Sequence, residues 1–177
     1  MRMLFAPAIV LVAVILAPAA RATTITYAAT DVSGSTWQYD YSITNNTQPA
    51  NIGEFTIFFT LGQTANLAVQ ASPGNWSSTV VQPDPNLPAD GYFDSQALDA
   101  GLAPGSSQGG FSVQFTWLGT GTPRAQTFNI VDPNTFATLE AGTTTAAAVP
   151  VPLPASLVLL ISGLVGSPWI ARRRRSR

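Results

Sequence analysis

The sequence predicts an all-β fold, an antiparallel β-sandwich of immunoglobulin-like or jelly-roll-like type, with a signal helix before it and one transmembrane helix after it. Three observations carry that prediction. Between Thr23 and Leu139 apolar residues recur with a period of two, the repeat that puts them on one face of a strand. Clusters of Gly, Pro, Asn and Ser divide the runs at strand-sized intervals. No stretch of this region has the period of an amphipathic helix. Strands with one apolar face each are buried most simply as two packed sheets.

Residues 1–22 read as a secretory signal. Arg2 is a minimal basic start, Ala8 to Ala17 form an apolar core, and Pro18 breaks it. Ala20-Arg21-Ala22 then has the small-x-small pattern of a cleavage site, which places the mature start near Thr23 and names the Sec translocon as export partner. An uncleaved anchor is the alternative, although the apolar core is short for a bilayer.

Within residues 23–139 the first clear strand alternates Trp37, Tyr39, Tyr41 and Ile43 with Gln38, Asp40, Ser42 and Thr44. The second sets Phe55, Ile57, Phe59 and Leu61 against Glu54, Thr56, Phe58 and Thr60, with Phe58 interrupting the polar side. Leu67 and Val69 begin a shorter strand, and Val80-Val81 sits in another. Phe111, Val113, Phe115 and Trp117 alternate with Ser112, Gln114 and Thr116, and Phe128, Ile130 and Phe136 indicate one or two more. Most aromatic residues therefore belong to the core. Phe58, Trp76 and Tyr92 are the candidates for an exposed aromatic strip, the arrangement that binds carbohydrate. Residues 140–149 are small, uncharged after Glu140 and aperiodic, and read as a linker.

Charge narrows the function. The 177 residues hold eight arginines, no lysine, no histidine and no cysteine. Between Thr23 and Val149, Arg124 stands against nine acids, a net charge of −8. Phosphate neutralisation needs cations, so nucleic acid is not a partner. Without His, Cys or Lys the usual general base, thiol nucleophile and Schiff-base amine are missing, and the chain reads as a non-enzyme without a cofactor. Carboxyl pairs for glycoside hydrolysis are permitted by the nine acids but not specified by any spacing. Asp84, Asp90 and Asp94 lie in an Asp/Asn-rich stretch that supplies oxygen ligands of the kind calcium takes. The spacing matches no calcium loop, and local turns explain these residues as well. Asn45-Asn46-Thr47 and Asn75-Trp76-Ser77 match the N-glycosylation pattern but also suit turns.

The C-terminal residues 150–177 have three parts. Pro150 is followed by the motif Val151-Pro152-Leu153-Pro154-Ala155-Ser156. Ala155 to Ala171 is a run of 17 residues without a charge, about 25 Å long as a helix and at the short end for a bilayer core. Arg172, Arg173, Arg174, Arg175 and Arg177 then stop transfer and stay on the cytoplasmic side. A plain uncut tail anchor is one reading of this topology.

The Pro-rich motif, the run containing Ser162-Gly163-Leu164 and the terminal Arg cluster resemble, in that order, the C-terminal signal of the PEP-CTERM family. Leu153 stands where the family's name motif has Glu, which makes this the Val-Pro-Leu-Pro variant. The start of a Gram-positive Leu-Pro-x-Thr-Gly motif is also matched, but the Thr-Gly at which that motif is cut is absent. The resemblance implies a Gram-negative exopolysaccharide producer and an exosortase that cuts near Pro152-Leu153-Pro154. It implies an inner-membrane precursor and a product at the cell surface or in the extracellular matrix. Trp37-x-Tyr39-x-Tyr41 with Asn45-Asn46, Gly74-Asn75-Trp76, and Pro104-Gly105 before Gly110-Phe111 are similar to domains that accompany this signal. The expectation is a structural or adhesive matrix protein. The alternative is a carbohydrate-binding module contacting exopolysaccharide through Phe58, Trp76 and Tyr92, and a third possibility is a hydrolase.

Overall fold

The computed structural model describes residues 22–148, and they form two five-stranded sheets. In chain order the strands are β1 (Thr24–Ser33), β2 (Thr36–Thr44), β3 (Glu54–Phe59), β4 (Thr64–Ala71), β5 (Trp76–Val81), β6 (Gly91–Ala97), β7 (Ser107–Trp117), β8 (Thr127–Val131), β9 (Thr138–Thr143) and β10 (Thr145–Ala146). One sheet has the order β10-β1-β2-β7-β4, the other β5-β6-β3-β8-β9. All pairings between neighbouring strands are antiparallel except β10 with β1, where Thr26 and Tyr27 lie beside Thr145 and Ala146 in parallel. The fold is thus an all-β sandwich that is mostly, not wholly, antiparallel. The expected signal helix, the Ala20 half of the cleavage pattern, the sorting motif 151–156, the transmembrane segment and the Arg tail lie outside the described residues.

The core is where the two sets of apolar alternations meet. Tyr39, Tyr41, Ile43, Phe111, Val113 and Phe115 from one sheet pack with Phe55, Ile57, Phe59, Phe93, Phe128 and Ile130 from the other. Aromatic rings contact across the interface in several places, including Phe55 edge-on to Phe111 at 5.0 Å and Phe59 edge-on to Phe115 at 5.5 Å. Such contacts add to the burial of apolar area, which is the main driving force for the fold. Buried Asn45 ties a loop to this core. Its Nδ2 donates to the Ala50 and Leu102 carbonyls at 3.0 and 2.9 Å, and its Oδ1 accepts from the Gln48 N–H. The acceptor pattern at Asn45 is therefore closed to glycosylation in the folded protein, whereas Asn75 is exposed. Ile52 and Leu102 exchange backbone hydrogen bonds beside it. Gly101 is required there: its φ is +77°, and a Cβ would lie 2.4 Å from the Ile52 carbonyl oxygen.

Four expectations are corrected. Residues 140–149 are not a simple linker: β9 and β10 run through them, and the compact unit continues to Ala146. Periodicity failed there because the side chain filling the inner position comes from the neighbouring strand. Gly142 pairs with Phe128, whose ring occupies the space a Cβ would need. The Asp-rich stretch is not made of local turns alone, since its second half enters β6 in the middle of a sheet. Phe136 is not a strand residue. It sits in the turn after Asp132 with φ +57° and is 74 % exposed. Trp76, expected on the exposed phase, is buried against Phe55 and Phe111.

Candidate functional site

The outer face of the β5-β6-β3-β8-β9 sheet carries the most chemistry. Strand register assembles it in rows. Val81, Tyr92 and Phe58 lie side by side across β5, β6 and β3. The next row is Thr79, Asp94, Thr56 and Asn129, and the one after it Ser77, Gln96, Glu54 and Val131. Phe58 and Tyr92 are half-buried and directly opposite, a spacing of about 5 Å between Cβ atoms that lets the two rings act as one surface. Of the three expected aromatic residues, two come together here, and Trp76 points the other way, into the core.

The polar groups beside this pair are held in place. The Thr56 hydroxyl donates to Asp94 Oδ1 at 2.7 Å. Burial raises the Asp94 carboxyl above the ordinary aspartate value, and the Thr56 hydrogen bond partly offsets that shift. Glu54 is 7 % exposed and its Oε2 has no hydrogen-bond partner. Burial raises its pKa first, and the charges of Asp94 and Asp132 add to the rise. Glu54 and Asp94 are diagonal neighbours, because Glu54 pairs with Gln96 and Asp94 with Thr56. Asp94, Gln96 and Asn129 thus present acceptors and amides next to an aromatic surface, the combination that suits sugar hydroxyls and the apolar face of a pyranose ring.

The three aspartates weighed for calcium are not brought together. Asp84 Oδ1 accepts from the Asn86 N–H in a local turn, Asp90 Oδ1 accepts from the Leu61 N–H, and Asp94 is bound to Thr56. Among the described residues no group of three or more His, Cys, Asp or Glu side chains is placed to hold a metal ion.

Two concavities lie elsewhere. An open groove of about 410 Å³ is lined by Asn51, Gln96, Asp99, Asp132 and Asn134 among others. The carboxyls of Asp99 and Asp132 are held below the usual range by backbone N–H groups of Gly101 and of Asn134 and Thr135 respectively. They serve as turn anchors. A cavity of about 130 Å³ is lined by Tyr39 and Trp117 of one sheet, Phe59 of the other, and Arg124 and Gln126. The Tyr39 hydroxyl donates to the Arg124 carbonyl at 2.7 Å, and burial pushes its pKa far above the phenol range, so it stays a neutral donor. Trp117 Nε1 is buried without a partner, which a single water would satisfy.

Thr56, Gln96 and Asn129 were not singled out in the sequence. The only signal was their outward phase, and that phase does not say which strands lie side by side.

No protein-family model matches the chain, and no curated protein matches it significantly. Among solved structures it is similar to the chitin-binding domain of Chi18aC from Streptomyces coelicolor, at 16 % identity and a TM-score of 0.38 over 60 % of this chain and 90 % of that one. A family 3b carbohydrate-binding module from the biomass sensoring system of Clostridium clariflavum gives 12 % and 0.36, over 53 % and 70 %. A GH20 exo-β-N-acetylglucosaminidase from Vibrio harveyi gives 8 % and 0.36, over 75 % of this chain and 19 % of that one. At these scores the likeness says nothing about ligand or activity.

Proposed function

We propose that the chain is an exported adhesive protein of an exopolysaccharide matrix. Its precursor enters the inner membrane through Sec, is held by residues 155–171, and is released or transferred by an exosortase acting near Pro152-Leu153-Pro154. The mature domain holds polysaccharide along the outer face of the β5-β6-β3-β8-β9 sheet. The observation that carries the binding part is the Phe58–Tyr92 cross-strand pair beside the Asp94–Thr56 row. The aromatic pair supplies a flat apolar surface, and Asp94, Gln96 and Asn129 supply hydrogen bonds. The negative charge of the domain selects neutral or cationic glycans over anionic ones. Binding is favoured over hydrolysis because Glu54, the second carboxyl on this face, is closed to a substrate.

The test is retention of the secreted protein on chitin, cellulose and the host's own exopolysaccharide. Wild type is expected to bind at least one of them, with Tyr92→Ala and Phe58→Ala each weakening retention by roughly tenfold, about 1.4 kcal/mol. Retention that survives both changes would sink the aromatic-face reading. For the tail, intact-mass analysis of the mature protein is expected to show a C-terminus before Arg172; a mature end beyond it contradicts removal.

A further inference from the structure

Glu140 collects neutral donors in an unusual way. Its Oε1 accepts from the Thr23 backbone N–H at 2.9 Å. Its Oε2 accepts from the Thr23 hydroxyl at 2.6 Å, the Thr47 hydroxyl at 2.7 Å and Gln48 Nε2 at 3.0 Å. The one basic side chain in residues 22–148 is Arg124, and every one of these donors is uncharged. The Thr23 nitrogen also lies 3.1 Å from Thr47 Oγ1. A peptide nitrogen carries one hydrogen, yet this one has two oxygen acceptors within reach. Thr23 is 4 % exposed, so its nitrogen is sheltered. Burial pushes the Glu140 carboxyl up, but its hydrogen bonds from Thr23, Thr47 and Gln48 outweigh that and hold it below the ordinary glutamate value. A carboxylate kept ionised, with two oxygen acceptors around one backbone nitrogen, is a site suited to a cation at that nitrogen.

We infer that Glu140 and Thr47 form a receptor for the protein's own α-ammonium, created when the peptide bond between Ala22 and Thr23 is hydrolysed. The inference rests on the export reading above, in which residues 1–22 are removed. Hydrolysis by a signal-peptidase-type enzyme adds one water across the C–N bond. Ala22 takes the hydroxyl and leaves as a carboxylate. The Thr23 nitrogen keeps the electron pair, takes the proton from water and a second from solvent, and becomes –NH3+. Two of its three hydrogens point to Glu140 Oε1 and Thr47 Oγ1. The cost is small: the Ala22 carbonyl loses only long contacts from Asn46 Nδ2 at 3.2 Å and the Thr24 hydroxyl at 3.3 Å. Because Thr23 leads into β1 and Glu140 lies on β9, the new ion pair joins the two sheets. Removal of the leader would then tighten the fold on the far side of the membrane and leave the precursor looser during export.

The absence of lysine makes the test direct. In the mature chain the α-amino group is the sole primary amine, so an amine-acylating reagent reads that one atom. The protein is secreted from the full-length gene, and N-terminal sequencing establishes its first residue. A start other than Thr23 overturns the export reading on which the inference rests. With a Thr23 start, acylation of the folded protein at pH 7.5 is expected to be at least tenfold slower than in 8 M urea, because the ammonium is sheltered and held protonated above the ordinary α-amino value of about 8. Glu140→Gln is expected to restore most of that rate, and Thr47→Ala, which leaves the carboxylate in place, to restore two- to threefold. Equal rates in folded and unfolded wild type, or a folded rate unchanged by both substitutions, overturn the receptor while leaving the cleavage itself intact.

Discussion

The two outer faces of the sandwich share a strand scaffold and differ in what they show to solvent. On the β10-β1-β2-β7-β4 sheet the outward rows are Thr26 with Ser42, Ala28 with Asp40 and Ser112, and Thr30 with Gln38 and Gln114. That face has small and amide side chains, no aromatic ring, and Asp40 bound to Gln38 Nε2 at 3.0 Å. On the β5-β6-β3-β8-β9 sheet the outward rows include Phe58, Tyr92, Val81, Asp94 and the buried Glu54. The first face carries no aromatic area, and the one buried polar atom without a partner among the rows named is the Ser112 hydroxyl. The second leaves aromatic area half covered and keeps carboxyls in surroundings that disfavour their charge. Such unrelieved features are tolerated where a ligand completes the surface.

The comparison can be tested by variants in order of expected effect. Trp76→Ala is the largest. The ring fills the core between Phe55 and Phe111, so its loss is expected to cost about 3–5 kcal/mol in a urea melt. If Trp76 belonged to the outer face, glycan retention would fall instead and the melt would not move. Asn45→Ala follows, at about 2 kcal/mol, because it leaves the Ala50 carbonyl and the Gln48 N–H without the Asn45 side chain and the Leu102 carbonyl with only the Ile52 N–H. Next is the contrast between faces: Tyr92→Ala is expected to lose retention on polysaccharide roughly tenfold, whereas Gln38→Ala and Gln114→Ala on the other sheet leave it unchanged. Equal losses from both faces would erase the distinction.

The smallest effect is on pH dependence. Folding raises the Glu54 carboxyl, so the native state binds this proton more readily than the unfolded chain. Its charge opposes the fold at neutral pH, and that penalty fades as pH falls through the raised value and is gone below the ordinary 4.5. Glu54→Gln is therefore expected to stabilise the protein at pH 7 by about 1 kcal/mol, with the two melting curves converging in acid. Glu140 has the opposite sign. Its folded value is lowered, so its stabilisation is full above the ordinary 4.5 and is lost as pH falls through the lowered value. Glu140→Gln is expected to lose stability at pH 7 and to match wild type in strong acid. Asp40→Asn, on the opposite sheet, is expected to change stability by less than about 0.5 kcal/mol at pH 7.

Strand β2 was legible in advance because Trp37, Tyr39, Tyr41 and Ile43 alternate with polar residues without a break. The same holds for β7, and for β3 apart from Phe58 on its polar side. Strand β6 was not legible, since Gly91, Phe93 and Ser95 are its inward residues and only Phe93 is a large apolar side chain. Strand β9 was hidden because its inward positions are Glu140 and Gly142, one reaching to Thr23 and the other filled by the Phe128 ring. The inward phase of Trp76 is not legible in the sequence because β5 is short and its flanking turn gives no reference for which side faces inward.

By itself, then, the sequence determined the β class, the aromatic core of β2, β3 and β7, and the net charge of −8 between Thr23 and Val149. These are local properties, set by the two-residue period of a strand and by a count of charges. Only the tertiary structure decided that Phe58 meets Tyr92, that Trp76 is buried, and that Glu140 reaches Thr23. Each of those depends on register and sheet order between segments far apart in the chain, and a one-residue slip in any pairing would reverse which side chains share a face.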